Sequence, residues 1–450
     1  LEAGVNAVFL GWTLAETAAA ISGDLIGGDD RTIDAVTTDS RGDVAGDLFV
    51  ALSGESFDGH AFASDVIKRG AAAVVVCKDS GIDVEPRIEV DSTRIALAAL
   101  AIKRRDELDI PVIAITGSTG KTSTKDLLAA GLDGAWASPR SFNNEIGVPL
   151  TVLATPPDAD VLVVEVGSRR RGHIDWLAPI IRPDVAVITN LGVVHLETFG
   201  STEGLADAKF EVVEALGPEG VAVLPVDETS LRREGGHATI TFGRSGADVG
   251  VSAITMDDIG RPTFTIDVDG LVQQVSLPLS GMHQAMNAAA AIAVAVALEV
   301  DIGRFIGRLT SATGSAWRME VHEGRYTVVN DAYNANPQSV ASAFATVAAM
   351  SGRHIAVLGV MAELGHVCGE EHRRMGAMAW SLGFSELVVV GPDHGYALGY
   401  PGVVRKATDI EDAADTLAHI IEPGDVVLVK GSRSAGLEGL AHHLIEDSAT

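Results

Sequence analysis

Short runs of Val, Ile, Leu and Ala recur at 71–77, 112–115, 161–164, 185–188, 326–329, 355–358 and 426–429, and polar stretches follow them. Runs that stay apolar at successive positions suit strands covered on both faces, as in a sheet layered with helices. Segments of helical composition lie between them, notably 92–108, 122–130 and an alanine-rich stretch that opens near 284. Thr13 and Glu16 stand at capping-box spacing and predict a helix start. Strands alternating with helices predict an α/β protein whose ligands gather beyond the carboxyl ends of parallel strands. The segment 143–151 carries Gly147 and Pro149 and is expected to be a lid or substrate loop ahead of the strand that reaches Glu165.

A chain of 450 residues exceeds one ordinary core, so about three domains are expected, at 1–105, 106–314 and 315–450. The formal charge of -28 disfavours nonspecific binding to nucleic acid or to an anionic membrane, since both would repel this surface. An anionic nucleotide would need local cations or a metal to reverse the field. Cys77 and Cys368 are far apart and lack metal-ligand spacing, which fits a reducing cytoplasm better than a disulfide framework. No apolar run is long enough for a membrane-spanning helix, and no signal peptide is evident at the start. A monomer is the default expectation.

The most informative stretch is Gly117-Ser118-Thr119-Gly120-Lys121-Thr122-Ser123, set between an apolar run and a helical one. Such a turn aims backbone N–H groups and a helix N-terminus at one point, where a phosphate can bind. Lys121 adds a full charge, and Thr122 a hydroxyl suited to phosphate-bound Mg²⁺. Ile115 stands where the usual phosphate-loop pattern has its first glycine, and a turn that merely joins strand to helix is the other reading.

Glu165 sits in or at the end of an apolar run, which is costly for an acid unless it is paired or binds a cation. Asn190 directly follows another such run, with His195 and Glu197 beyond it. His195 could equally be structural, and Lys209 could be only the polar face of a helix. Ser40, Arg41 and His60 are expected on loops, where they could hold a phosphate or carboxylate; a surface ion pair between Asp39 and Arg41 is the alternative.

Together these residues carry a resemblance to a known family. Gly117 to Ser123, Glu165, Asn190 to His195, Lys209 and Gly281-Met282-His283 through Asn287 resemble the Mur ligases, whose own phosphate loop also lacks the first glycine. The segments Asp39-Ser40-Arg41, 143–147, 195–197, 333–337, 362–365 and 430–432 extend the likeness over essentially the whole chain and point to the dipeptide-adding member. Val360 and Gln284 depart from that member's pattern.

The resemblance implies a small α/β substrate domain, a central P-loop-type parallel-sheet ATPase domain and a C-terminal Rossmann-like domain. It implies ATP-driven joining of UDP-N-acetylmuramoyl-tripeptide to D-alanyl-D-alanine through an acyl phosphate, in cytoplasmic peptidoglycan precursor synthesis. Lys121, Lys209 and His195 would be catalytic; Gly117 to Ser123, His283, Asn287, Arg318 and Asp331 would hold ATP. Thr122, Glu165, His195 and a carbamylated Lys209 would hold or position two Mg²⁺ ions. Ser40, Arg41, Asn143, Asn144, Thr151, Tyr333, Asn334 and Asn336 would contact the substrates. A hinge is expected at 313–317, with the third domain closing over ATP. The rival readings are a ligase of the same type joining another acid and amine, and a phosphate-loop NTPase without ligase activity.

Overall fold

The computed structural model describes residues 9–28, 30–54, 57–139, 141–192, 199, 201–233 and 236–449. Among them no helix is long and apolar enough to cross a membrane. The first unit is built on a five-stranded sheet in the order Asp24–Ile26, Arg87–Val90, Ala73–Cys77, Leu48–Val50, Val36–Thr37. Only the first of these pairings is antiparallel. The expected capping box is present: Thr13 accepts from the backbone of Glu16, and Glu16 accepts from that of Thr13.

The central unit carries a nine-stranded sheet. Val112–Thr116 lies in its interior, flanked in parallel by Val161–Glu165 and Val185–Ile188, and all three are buried throughout. In this register Ile115 stands beside Glu165 and Thr116 beside Ile188, so the three strands end together and deliver their following residues to one edge. The parallel pattern gives way at the far side, where Val249–Met256, Pro262–Val268 and Leu271–Ser276 pair antiparallel. The helix Gln284–Ala297 is largely alanine and buried along most of its length. Its small side chains let it lie close against the sheet while keeping high helix propensity.

The third unit has a six-stranded sheet ordered Glu320–His322, Thr327–Asp331, Val426–Lys430, His354–Leu358, Glu386–Val390, Val403–Ala407. All but the first pairing are parallel. Asp331 and Lys430 end adjacent strands in register, which faces a second set of strand ends toward the central unit.

Two expectations change, for 143–151 and for His60, and one helix makes contacts that were not expected. The expected loop at 143–151 is half helix: Gly147–Leu153 forms about two turns with Pro149 near its start, where a missing N–H costs nothing. The helix Thr93–Glu107 packs largely on central helices, with Arg104 donating to Thr155 O at 2.7 Å and Arg105 Nε to Ile181 O at 2.9 Å. The apolar core therefore runs on from the first unit into the central one. His60 is buried rather than presented on an open loop; its Nε2 accepts from Cys77 N–H at 3.0 Å and its Nδ1 faces Asp58 at 2.7 Å.

Candidate active site

The glycine turn is shaped by what lies against it. Gly117 and Gly120 both have positive φ, at 146° and 81°. A Cβ on Gly117 would collide with Thr189 Oγ1, and one on Gly120 with Asn287 Oδ1. The turn is therefore pressed between the end of the strand Val185–Ile188 and the start of the alanine-rich helix. Asn190 fixes it further, accepting from Thr119 N–H at 3.1 Å and donating to Thr119 O at 3.0 Å. Ser118 N–H donates to Asn190 O at 3.2 Å and Ser118 Oγ to Gly192 O at 3.1 Å.

Lys121 opens the following helix and folds its ammonium back onto Gly117 O at 2.8 Å. Burial pushes its pKa below the usual lysine value, with Glu165 pulling the other way. Thr122 donates to Glu165 Oε2 at 2.8 Å, and Asn143 donates to Glu165 Oε1 at 2.7 Å. The strand-end acid is thus buried but not orphaned, with both oxygens satisfied by neutral donors.

Thr122 Oγ1 and Glu165 Oε2 form a compact pair of hard oxygen donors. Mg²⁺ usually takes only one or two protein oxygens and completes its shell with water and phosphate, so this pair fits it. Among the described residues no larger group of acids, histidines and cysteines gathers for a metal. His195 and Glu197 lie outside the described residues.

Lys209, on the helix Thr202–Glu214, points inward and is 2% exposed. Burial, reinforced by the charge of Lys121, lowers its pKa well below the ordinary value. Among the described residues its ammonium has neither a hydrogen-bond nor an ion-pair partner.

The opposite wall comes from the third unit. Arg318 Nη2 donates to Ser141 Oγ at 3.1 Å, and its guanidinium stacks 4.1 Å from the Tyr333 ring centroid. Its Nε is buried without a partner among the described residues. The residues on either side, Trp317 and Met319, have positive φ, and Ser315 donates twice to Asp126 Oδ2, so the expected hinge region is anchored to the phosphate-loop helix. Lys430 pairs with Asp331 at 2.5 Å and donates to Asn334 O at 2.9 Å. His283 and Ser342 join the two units at 2.8 Å. Burial depresses the His283 pKa to about 4, Asp331 opposing the shift and Lys430 adding to it.

These groups line one cleft of about 860 Å³ that contains the 117–123 turn, Asn143, Asn144, Glu165, Lys209, His283, Asn287, Arg318, Asp331 and 333–336. Three expected site residues lie elsewhere. Thr151 is fully buried, its hydroxyl committed to Gly147 O at 2.9 Å, because its segment is helical. Ser40 and Arg41 lie on a turn of the first unit outside this cleft, with Arg41 bonded bidentately to Asp39 and largely solvent-exposed. Asn336 does line the cleft, yet its side-chain oxygen caps the helix Pro337–Val347 by accepting from Ser339 N–H at 2.9 Å.

Sequence reasoning passed over two serines. Ser138 Oγ accepts from Glu165 N–H at 3.1 Å, and Ser141 Oγ bridges Thr122 and Arg318. Their one visible signal was a polar run, Ser138-Pro139-Arg140-Ser141, directly after a short strand.

Three family models cover most of the chain. The Mur ligase middle domain matches residues 115–295, the Mur ligase glutamate ligase domain 317–433, and the Mur ligase family catalytic domain 32–120. The UDP-N-acetylmuramoyl-tripeptide–D-alanyl-D-alanine ligase of Escherichia coli K12 is 34% identical over 448 residues, covering 97% of this chain and 98% of that one. The enzyme of the same name from Synechocystis is 35% identical, covering 94% of each. A crystal structure of MurF from Acinetobacter baumannii superimposes with a TM-score of 0.88 at 30% identity, covering 97% of this chain and 99% of that one. MurF ligase from Thermotoga maritima in complex with ADP gives 0.82 at 29% identity, covering 92% and 97%.

Proposed function

This chain belongs to the Mur ligase family, and we infer that it is an ATP-dependent ligase adding D-alanyl-D-alanine to UDP-N-acetylmuramoyl-tripeptide in peptidoglycan precursor synthesis. The observation that carries this reading is the convergence of the phosphate turn, the Thr122–Glu165 pair and Arg318 of the third unit in one cleft.

A carboxylate cannot acylate an amine directly, because oxide would have to leave. Phosphorylation removes that obstacle. A carboxylate oxygen of the tripeptide bonds to the γ-phosphorus as the bond to ADP breaks; the dipeptide nitrogen then adds to the carbonyl carbon, loses a proton, and phosphate departs with the former carboxylate oxygen. Phosphoryl transfer asks the protein mainly for positioning and charge neutralisation. The turn's N–H groups cradle the phosphates, Lys121 exchanges Gly117 O for a phosphate oxygen, and Arg318 supplies a second cation through its unpartnered Nε. Mg²⁺ bound by Thr122 and Glu165 would neutralise phosphate charge. His195 is assigned to a second ion by family resemblance. Asn287 and His283 lie at the nucleotide side, Asp331 with Lys430 beyond them, and Tyr333, Asn334 and Asn336 on the wall available to the amine substrate. Ser40 and Arg41 are assigned to the uridine diphosphate end. ATP as a substrate fits the cytoplasmic expectation.

Lys209 is assigned a carbamate. An ammonium there would repel both Mg²⁺ and Lys121, whereas the depressed pKa favours the neutral amine, which can attack CO₂ and lose a proton to give an anion. The ligase reading is tested by ADP release with each substrate omitted in turn. Turnover should require the UDP-linked tripeptide and D-alanyl-D-alanine together; equal turnover without the amine would leave an NTPase.

A further inference from the structure

The cleft holds a cation, Arg169, that the reaction as derived leaves unused. Beyond Glu165 the chain runs Val166-Gly167-Ser168-Arg169-Arg170-Arg171, three successive arginines in a protein of net charge -28. The backbone here is fixed: Gly167 N–H donates to Asn143 O at 2.7 Å, and Arg169 N–H to His173 Nδ1 at 3.3 Å. Arg169 lines the same cleft as Asn143 and Asn144, and its side chain is exposed.

Several neighbouring charges are already engaged, though the exposed Arg170, which lies outside the cleft lining, is not among them. Arg171 faces Asp207 at 3.5 Å, Asp207 is also held by Arg233 at 2.7 Å, and Glu145 lies 3.1 Å from His173 Nε2. Three other cleft cations are committed, Lys121 to Gly117, Lys430 to Asp331 and Arg433 to Glu438, while Lys209 is buried and Arg318 is already assigned to phosphate. Among the described residues the Arg169 guanidinium has no side-chain partner.

The ligase reading, on which this inference rests, puts the carboxyl of the third peptide residue beside Lys121 and Glu165. The side chain of that residue starts from the same α-carbon, so it must lie along the adjoining wall. Arg169 is four residues past Glu165, at most about 14 Å of extended chain, and two long side chains reaching toward each other close that gap. A guanidinium attracts a carboxylate in a bidentate geometry and repels an ammonium that lacks one nearby.

We propose that Arg169 reads the charge at the end of this side chain. The enzyme accordingly takes a tripeptide whose third residue ends in a carboxylate, of the 2,6-diaminopimelate kind, over one ending in an amine alone, of the lysine kind.

The test is kcat/KM for both UDP-linked tripeptides at saturating ATP and D-alanyl-D-alanine, in the native enzyme and in Arg169→Ala and Arg169→Glu. The native enzyme should favour the diaminopimelate substrate by about tenfold or more, Arg169→Ala should collapse that ratio, and Arg169→Glu should shift it toward lysine. Because the side chain is exposed, both variants should keep the native melting temperature. A native enzyme that uses both substrates equally, or variants that slow both in the same proportion, would overturn the proposal. Native enzyme that turns over neither substrate would instead overturn the ligase reading, and this inference with it.

Discussion

Glu165 and Lys209 are the two buried titratable groups that most distinguish this cleft from an ordinary phosphate turn. An acid inside an apolar run announces itself in sequence because burial there is costly, and Glu165 is found between Thr122 and Asn143 with both oxygens bonded. Lys209 was ambiguous, since a lysine on a helix is ordinarily solvated; only its burial separates the two readings. Thr151 and Asn336 are both engaged locally, Thr151 inside a helix and Asn336 as a helix cap that still lines the cleft. Gly147 and Pro149 suggested a loop, yet both are tolerated in a helix's first turn, and an asparagine before proline serves as a helix cap. The Lys209 assignment makes a direct prediction. Protein equilibrated with ¹³C-bicarbonate should show a carbamate carbon signal that Lys209→Ala loses together with most ligation; an unchanged signal, or near-native turnover of the variant, would remove the carbamate.

At the scale of elements, the order strand, glycine turn, helix could be read from 112–130 almost directly, because side-chain period and turn chemistry are local properties. The strands Glu386–Val390 and Val403–Ala407 escaped notice; the second is half exposed and polar at Arg405 and Lys406, as an edge strand can be. The strut between units, from His283 before the alanine-rich helix to Ser342 on the helix Pro337–Val347, is a tertiary fact with no local signature. It has a pH consequence. The folded His283 pKa of about 4 lies below its ordinary 6.5, so the unfolded chain binds more protons between those values. This contribution is constant above pH 6.5 and is lost as pH falls toward 4, at up to about 1.4 kcal/mol per pH unit. Thermal unfolding followed from pH 7 to 4 should therefore decline less steeply in His283→Gln than in the native protein; parallel curves would show that His283 does not titrate on unfolding.

Across the whole molecule, the parallel parts of two mixed sheets turn their strand ends toward each other, and the cleft exists because neither unit completes it alone. Three α/β units could be anticipated from the recurrence of apolar runs, but not the docking of Thr93–Glu107 onto the central helices, which depends on surfaces distant in sequence. The shared cleft makes physical sense for chemistry in which an acid is first phosphorylated and then captured by an amine, since water must be kept from the activated acid. The most direct measurement of that claim uses UDP-linked tripeptide labelled with ¹⁸O in its reacting carboxylate. With ATP and D-alanyl-D-alanine present, the released phosphate should carry ¹⁸O from the carboxylate in step with amide product. Unlabelled phosphate accompanying amide formation would contradict activation through an acyl phosphate.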